Sequence, residues 1–324
     1  MTMKATSNMR RVLFLFAGIA AFSATESAAQ YYMNQTELAE ILGPCSAELE
    51  KLPTIEYRDQ VIYDRRNNSV LARNTFYKII GDGDVDLGYE RAKVVGLLNR
   101  KLVSRTQIGD TLVVPSEYVS DFCAYSPFPL LYAGAESFDK LFIIEKSIQG
   151  WAAYERGRLA RWGIVNTGAT GSPTPNGRFN FNWKTEYRIS SLSPPGERWE
   201  MYWVFNFIDE RGIHVHQYAF PTGGPSSLGC VRVVDEDAEW IYRWADAWDT
   251  TLGNGVASRQ GVIKAPGTTV LVVGEDPSSD PTPFIRPDSR PVLVTVELPT
   301  DPYSIPAGTW QQRYFDQQRA SGSD

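Results

Sequence analysis

The stretch WEMYWVFNFIDERGIHVHQYAFPTGGPSSLGCVRV, residues 199–233 of a 324-residue chain, decides the fold. Its first part consists of two apolar runs separated by DERG at 209–212, which is typical of two strands joined by a four-residue hairpin turn. Because side chains alternate between the two faces of a strand, His214 and His216 lie on the same face. A Gly- and Pro-rich loop then leads to Gly229 and Cys230. The stretch therefore predicts a strand pair whose histidines look toward one site.

The flanking segments continue the β pattern. Residues 139–168 alternate apolar and polar residues around the turns SIQG (147–150) and ERGR (155–158), which predicts a β-meander. We expect further strands at 178–183 and 267–275, and one helix at 234–248. Residues 137–275 are thus predicted to form one mostly β domain.

A smaller α+β region is expected at residues 30–132. It contains a helix start at 34–42, with Asn34 or Thr36 as the cap, a helical pattern at 87–102, and a turn followed by a strand at 108–115. Residues 96–115 resemble the closing half of a LysM module, and a generic packing domain is the alternative reading. Residues 276–324 are rich in proline and predict an extended tail, with one strand at 292–298 and an amphipathic stretch at 310–318.

The first 29 residues have the composition of a signal peptide. Lys4, Arg10 and Arg11 precede an apolar core at 12–22, and small residues at 27–29 suit a cleavage site. The core is too short to span a bilayer, although a retained anchor is the alternative. The formal net charge of −6 and the absence of a basic run argue against nucleic acid as a partner. We therefore expect an exported protein without stable membrane insertion.

Three cysteines in an oxidising compartment leave one unpaired. The economical interpretation pairs Cys45 with Cys123, which flank the N-terminal segment, and leaves Cys230 as a free thiol. Three reduced and buried cysteines are the alternative. A free thiol that persists in such a compartment needs a reason, and catalysis is the usual one.

Cys230 has the neighbours that a nucleophile requires. An imidazole from His214 or His216 can take the thiol proton, and Gly229 permits a tight backbone that turns an amide toward an oxyanion. The helix predicted downstream would place its positive end near the sulfur. The alternative is that Cys230 is a small apolar residue buried in the core, without a chemical role. A zinc site is weaker, because neither a fourth ligand nor a water-bearing position is evident, and no metal is expected.

Three segments resemble the L,D-transpeptidase (YkuD) family of peptidoglycan enzymes. They are NTGATGSPTPNGRF at 166–179, MYWVFNFIDERGIHVHQ at 201–217 and SSLGCVRV at 226–233. The resemblance covers residues 137–275 and implies a YkuD-like β-sandwich or barrel with one or two helices. It also implies a periplasmic enzyme that acts on peptidoglycan stem peptides and needs no cofactor.

The resemblance implies a cysteine acyltransferase. Cys230 would form a thioester with a tetrapeptide stem and pass the acyl group to an amine, either in a second stem or in an acceptor protein attached to the wall. With water as the acceptor, the same fold would act as a carboxypeptidase or an endopeptidase. An inactive wall-binding protein is the third alternative.

The resemblance also assigns roles to residues around Cys230. His216 matches the family base, with the backbone carbonyl of Gln217 holding its tautomer. Arg232 would bind a carboxylate or brace the loop, and Ser227 would shape the loop. Tyr202 and Trp203 are candidates for the substrate groove, together with Gln217 and Leu228, and residues 184–200 are expected to form a long loop that acts as a lid.

One position departs from the family pattern. The family has a histidine directly before the Gly-Cys pair, and this sequence has Leu228. One hypothesis is that His214 supplies the imidazole that Leu228 removes. The alternative is that His214 is an unrelated polar residue at the rim of the cleft.

Overall fold

The computed structural model describes residues 33–219, 224–257, 261–277 and 295–303. The predicted signal peptide at 1–29, the amphipathic stretch at 310–318 and most of the proline-rich segment lie outside these residues. The described part confirms a mostly β architecture with few helices. None of its helices combines the length and the apolar character that crossing a membrane requires.

Residues before 132 form the small α+β region. Helix α1 (Gln35–Ala39) is capped by Asn34, strand β1 (Tyr57–Val61) pairs antiparallel with β2 (Thr111–Pro115), and between them lie α2 (Ser69–Ile80) and α3 (Val85–Asn99). Side chains of Asn68 and Asp84 accept hydrogen bonds from the first amides of α2 and α3, which fixes where both helices begin. The two helices and β2 bury their own apolar cluster.

A five-stranded sheet is the centre of the molecule. It contains β3 (Leu141–Glu145), β4 (Gly150–Glu155), β5 (Arg158–Ile164), β6 (Gly177–Asn180) and β14 (Thr269–Val273), in the order β5-β4-β3-β14-β6. The predicted meander is β3 to β5, and the predicted last strand is β14, which runs parallel to β3. All five residues of β3 are buried, so both faces of this sheet are covered.

A four-stranded sheet carries the quoted stretch. It contains β7 (Lys184–Ile189), β8 (Glu200–Ile208), β9 (Ile213–Gln217) and β10 (Val231–Val233), in the order β10-β9-β8-β7. The predicted hairpin is β8 and β9, and β10 runs parallel to β9. Helix α4 (Asp235–Trp244) follows β10, and short strands β11 (Asp249–Thr250), β12 (Gly253–Asn254) and β13 (Ile263–Ala265) form a small sheet before β14.

The prediction of a single strand at 178–183 is wrong. The chain leaves the five-stranded sheet after Asn180 and enters the four-stranded sheet at Lys184. The hydrogen bonds change partners within three residues, because the amide of Phe181 donates to Thr268 while that of Asn182 donates to Asn206. One continuous apolar run thus serves two sheets.

Alternation along β3 explains the layers. Phe142 and Ile144 belong to the cluster that packs the five-stranded sheet against the four-stranded sheet and α4. Leu141 and Ile143 belong to the cluster that covers the opposite face with residues of the N-terminal region. This second cluster continues across the boundary predicted between 132 and 137.

A disulfide fixes the N-terminal segment close to the sheet. Cys45 and Cys123 are bonded, with 5.5 Å between their Cα atoms, and Cys230 is the free cysteine of the described part. The amide of Cys45 donates to the carbonyl of Ala160 on β5. Phe122, next to Cys123, stacks on Trp162 of β5 with ring centroids 4.8 Å apart. The N-terminal region therefore provides one wall of the core around the five-stranded sheet.

Candidate active site

A cleft of about 750 Å³ opens beside the four-stranded sheet. The β7–β8 hairpin, the turn between β8 and β9 and the segment that ends at Arg232 form its walls. Its lining includes Cys230, His214, His216, Arg232, Ser227 and Leu228. The fold thus brings most of the side chains singled out in the sequence to one cavity.

The backbone conformation of Gly229 positions Cys230. Gly229 has a φ of 113°, a conformation that side chains disfavour. Its carbonyl accepts a hydrogen bond from the hydroxyl of Thr174 at 2.8 Å, and its amide donates to the hydroxyl of Ser227 at 3.0 Å. The Ser227 hydroxyl in turn donates to the carbonyl of Cys230. The turn is therefore held on both sides, and the Gly229 amide is already occupied.

The sulfur of Cys230 lies in a partly buried position. Sγ is 3.9 Å from the carbonyl oxygen of Gly212, at the start of β9. Burial raises the pKa of the thiol above its ordinary value of 9.0, and the backbone N–H of His214 and the charge of Arg232 oppose this only in part. The resting group is therefore a thiol rather than a thiolate.

The helix expected to stabilise the sulfur is placed differently. Helix α4 begins only at Asp235, after strand β10, and its first turn carries Asp235, Glu236 and Asp237. These acidic residues complement the positive end of the helix themselves. The local influences that lower the pKa of Cys230 come from His214 and Arg232 instead.

His216 is a buried, neutral imidazole with a defined tautomer. Its Nδ1 lies 2.8 Å from the carbonyl oxygen of Gln217, which accepts only hydrogen bonds, so Nδ1 carries the proton. The lone pair is then on Nε2. Burial lowers the pKa of His216 to about 4, with Arg232 adding to the effect and the Gln217 carbonyl opposing it. His216 is thus uncharged at neutral pH and has a basic nitrogen to offer.

His214 has the opposite tautomer. Its Nδ1 lies 3.1 Å from Nδ2 of Asn206. The orientation of this amide follows from its surroundings, because Nδ2 lies 3.1 Å from the carbonyl oxygen of Ile213 and Oδ1 accepts from Asn182. Asn206 therefore donates to Nδ1, and the proton of His214 is on Nε2.

His214 is part of the floor of the cleft. It is 5% exposed, and its ring meets that of Trp183 edge to face with centroids 5.0 Å apart. Burial lowers its pKa to about 3, with contributions from the charges of His216 and Arg188. The role of His214 stays a prediction.

The pairing of β9 and β10 explains why these side chains meet. Arg232 is opposite His216 in the parallel register, and Val231 is opposite Val215. Residues that face each other across strands lie on the same face of a sheet. The guanidinium of Arg232 also stacks 4.1 Å from the ring centroid of Tyr218. Arg232 thus lies beside His216 with its position fixed by an aromatic ring.

The four predicted substrate-groove residues divide into two groups. Leu228 lines the cleft and is 53% exposed, and Gln217 contributes its carbonyl. Tyr202 and Trp203 lie outside the lining, although their neighbour Met201 is part of it. Tyr202 packs on Tyr187, and Trp203, whose φ of 53° interrupts the strand alternation, packs on Tyr242 of α4.

The predicted lid is shorter than 184–200. Its first six residues form β7, so the loop proper is 190–199, and this loop contributes Ser190, Ser191, Leu192 and Trp199 to the lining. Residues that the sequence reasoning missed include Arg188, Asn206 and Thr174. Their sequence signal is weak, because each acts through a partner that is distant along the chain.

A buried hydrogen-bond network supports the cysteine turn from below. Arg100, just after α3, donates to the carbonyl of Gln149 at 2.9 Å. The Gln149 side chain donates to the hydroxyl of Thr167 at 2.7 Å and accepts from its amide at 2.9 Å. The carbonyl of Thr167 accepts hydrogen bonds from the amides of Ser226 and Ser227. The N-terminal region is thereby linked to the loop that carries Cys230.

Within the described residues, no three His, Cys, Asp or Glu side chains are grouped as ligands of a metal ion. Among the groups that line the cleft are one thiol and two neutral imidazoles with opposite free nitrogens. Such a set can transfer a proton from the thiol and donate a hydrogen bond at a second point.

Comparisons with known proteins agree with this arrangement. Residues 139–272 match the family model described as the L,D-transpeptidase catalytic domain, YkuD. No curated protein matches the chain in sequence.

The solved structures to which the chain is similar include three L,D-transpeptidases. One from Mycobacterium smegmatis is 16% identical over 42% of this chain and 58% of its own, with a TM-score of 0.31. One from Stackebrandtia nassauensis is 20% identical over 43% and 57%, with a TM-score of 0.31. L,D-transpeptidase 1 from Mycobacterium tuberculosis is 17% identical over 42% and 62%, with a TM-score of 0.30.

This chain thus spans less than two thirds of the length of each of these proteins. The family match covers the cleft cysteine, both histidines and the two sheets that position them. Residues 139–272 are therefore similar to the L,D-transpeptidase catalytic domain, YkuD.

Proposed function

We propose that this protein is an exported, periplasmic cysteine acyltransferase that acts on peptidoglycan stem peptides. The observation that carries the proposal is the tautomer of His216. With Nδ1–H bound to the Gln217 carbonyl, Nε2 is left as a base in the same cleft as the free thiol of Cys230. The family of residues 139–272 supports the choice of substrate.

The first half-reaction acylates Cys230. Nε2 of His216 takes the thiol proton as sulfur attacks the carbonyl carbon of the stem peptide. The tetrahedral oxyanion collapses, the C–N bond to the terminal residue breaks, and the leaving amine takes the proton from His216. A thioester and a free amino acid are the products.

The second half-reaction returns the thiol. An acceptor amine attacks the thioester carbonyl and gives a proton to His216, and the C–S bond breaks. Cys230 then recovers the proton. An amine of a second stem gives a cross-link between stems, and an amine of an acceptor protein attaches that protein to the wall. Water as the acceptor gives hydrolysis through the same steps.

Two hydrogen-bond donors are available for the substrate. The amide of Gly229 is occupied by Ser227, so we assign the developing oxyanion to the amide of Cys230, which has no acceptor within the described part of the chain. Nε2–H of His214 is the second donor. His214 is thus a hydrogen-bonding imidazole in a cleft where Leu228 precedes the Gly-Cys pair, and not a second base.

Trapping of the acyl-enzyme tests the proposal. Incubation with a carbapenem should add one adduct to the intact mass, and the adduct should be absent in Cys230→Ala. The His216→Gln variant should form it at least about 100-fold more slowly, because the general base is lost. An inactive wall-binding protein would give no adduct in any variant and no change in purified wall.

A further inference from the structure

The cleft contains more positive charge than its own residues neutralise. Arg188, Arg211 and Arg232 line it, and within the described residues none of the three has a carboxylate oxygen at ion-pair distance. Several arginines elsewhere in the described chain do have such a partner, for example Arg91, Arg156 and Arg158, which have carboxylate oxygens at 2.6, 2.9 and 2.7 Å. Within the described residues, the three guanidinium groups of the cleft are not engaged in ion pairs.

Within the described residues, the acidic residues of the lining form no ion pair with these three arginines. Asp209 accepts a hydrogen bond from Nε1 of Trp183 at 2.9 Å. Glu200 accepts one from the hydroxyl of Tyr187 at 2.9 Å and lies 3.8 Å from Arg198. Both carboxylates are thus committed to partners on the walls of the cleft.

Arg188 is held in place by aromatic contact. Its guanidinium lies 5.1 Å from the ring centroid of Trp183. Trp183 is only 5% exposed and is fixed by its bond to Asp209 and by the edge of His214. Stacking on a fixed ring orders the guanidinium plane and leaves its edge, with the N–H donors, available for a ligand. Arg211 differs in being exposed in the turn between β8 and β9.

The position of Arg188 is separate from the reacting atoms. It pairs with Met201 across β7 and β8, and paired residues lie on one face, so both look into the cleft. Arg188 stacks on Trp183, whose ring meets His214, whereas Arg232 is opposite His216 across β9 and β10. His214 and His216 are two residues apart on a strand, which corresponds to about 7 Å.

We propose that Arg188, stacked on Trp183, binds a carboxylate of the peptide substrate at a subsite on the Trp183 side of the cleft, separate from the position of the attacked carbonyl at Cys230. The inference rests on the proposed function, since it concerns the peptide that the cleft receives. A planar guanidinium with two parallel N–H groups matches a carboxylate in a bidentate geometry. The bond forms without breaking an ion pair to any of the described residues, since the guanidinium of Arg188 contacts the ring of Trp183 and no carboxylate among them.

Equilibrium binding in a Cys230→Ala background tests this subsite independently of turnover. The probes are a synthetic tetrapeptide stem and a set of the same peptide with one carboxylate at a time converted to the carboxamide. Arg188→Gln should weaken binding of the parent peptide about 10- to 100-fold, the range for a charge-assisted hydrogen-bonded pair. For one amidated peptide, the same substitution should have little further effect.

Two further variants make the result specific. Arg198→Gln, an exposed residue on the adjoining loop that pairs with Glu200, is the matched control and should bind every peptide as the parent protein does. Arg188→Lys keeps the charge without the bidentate geometry and should retain part of the affinity. Circular dichroism and the melting temperature check that each variant is folded.

Equal losses for every peptide, or no loss with Arg188→Gln, would overturn the assignment of Arg188. The outcome for the proposed function is separate. If the unmodified protein binds the peptides in an Arg188-dependent way but never acylates Cys230, the acyltransferase mechanism fails and the carboxylate subsite stands. If Cys230 is acylated but the affinity for the peptides does not depend on Arg188, the carboxylate subsite fails and the acyltransferase mechanism stands.

Discussion

The imidazoles of His214 and His216 carry their proton on different ring nitrogens, and this difference is the basis of the roles that we propose for them. The Gln217 carbonyl forces the proton of His216 onto Nδ1, whereas the Asn206 amide forces that of His214 onto Nε2. In neutral imidazole one nitrogen donates and the other accepts, so only His216 offers a lone pair at Nε2. The two histidines that share a strand face thus present an acceptor and a donor, respectively, at Nε2 of His216 and of His214.

The protonation state of Cys230 has a measurable consequence. Its pKa is raised above 9.0 by burial and that of His216 is lowered to about 4, so the resting pair is uncharged across neutral pH. The thiolate fraction then increases about tenfold per pH unit up to the raised pKa. The rate of alkylation by iodoacetamide should therefore rise steadily from pH 5 to beyond pH 9. A constant rate between pH 5 and 8 would indicate a thiolate–imidazolium pair instead.

Substitution of each histidine should separate base from donor. We expect His216→Ala to reduce acylation by about 10²- to 10⁴-fold, the usual loss of a general base. His214→Ala removes one neutral hydrogen-bond donor and should cost about tenfold. Single-turnover acylation with a carbapenem measures both rates.

The same assay tests the relation between His214 and Leu228. If His214 stands in for an imidazole beside the Gly-Cys pair, adding Leu228→His to His214→Ala should restore most of the lost rate. Full activity of His214→Ala alone would contradict a role for this side chain in the cleft.

At the scale of elements, the β8–β9 hairpin and the turn at Gly229 form the site. Each of the two strands that carry site residues, β9 and β10, has a partner that sets its register, and Thr174 and Ser227 close the turn between them. Behind the turn, Gln149 and Thr167 exchange two hydrogen bonds in a fully buried position. The position of the sulfur thus depends on hydrogen bonds among residues that do not contact the sulfur themselves.

Loss of this support should affect both stability and rate. Gln149→Leu leaves the Thr167 amide buried without an acceptor, which costs about 1 to 3 kcal/mol of unfolding free energy. Because Thr167 holds the amides of Ser226 and Ser227, we also expect acylation to slow about tenfold through misplacement of the nucleophile. Denaturant unfolding and single-turnover kinetics measure the two effects.

Gln107→Leu, at an exposed glutamine, is the matched control and should change neither quantity. A folded Gln149→Leu protein that acylates at the parent rate would show that the network supports the fold alone.

Local patterns were sufficient for some elements and not for others. The hairpin at 209–212 and the meander follow from period-two alternation and turn residues, so the sequence predicts them. The division of 178–183 between two sheets depends on Thr268 and Asn206, which are far along the chain. No short-range pattern contains that information.

For the candidate site too, local sequence patterns predict only part of the arrangement. Placement of His214, His216 and Cys230 in one cleft follows from strand alternation and the Gly-Cys loop. The tautomer of His214 depends on Asn206 of β8, and the displacement of Trp203 follows from its left-handed backbone and its packing on α4. Both are consequences of tertiary contacts, which override local alternation.

At the scale of the whole molecule, the N-terminal region and the five-stranded sheet share a hydrophobic core. Leu141, Ile143 and Trp162 pack with Leu38, Leu97 and Phe122 in one cluster. The five-stranded sheet is therefore covered on both faces, as buried strands without polar alternation require. The N-terminal region thereby stabilises the domain that carries the cleft.

The disulfide contributes to this stability. Cys45 and Cys123 are 78 residues apart, so the bond restricts a long loop in the unfolded chain. The double substitution Cys45→Ala/Cys123→Ala should lower the unfolding free energy by about 2 to 5 kcal/mol. Guanidinium denaturation in the Cys230→Ala background, which excludes disulfide exchange, measures the change. An unchanged midpoint would mean that apolar packing alone holds the segment.

Analysis of muropeptides tests the central claim most directly. Purified peptidoglycan sacculi are incubated with the parent protein, with Cys230→Ala and with His216→Gln, and the digested products are separated and weighed. The proposed mechanism predicts that only the parent protein changes the tetrapeptide stems, with loss of the terminal residue and formation of new cross-links, attached amines or shortened stems. Identical products with the parent protein and Cys230→Ala would contradict it.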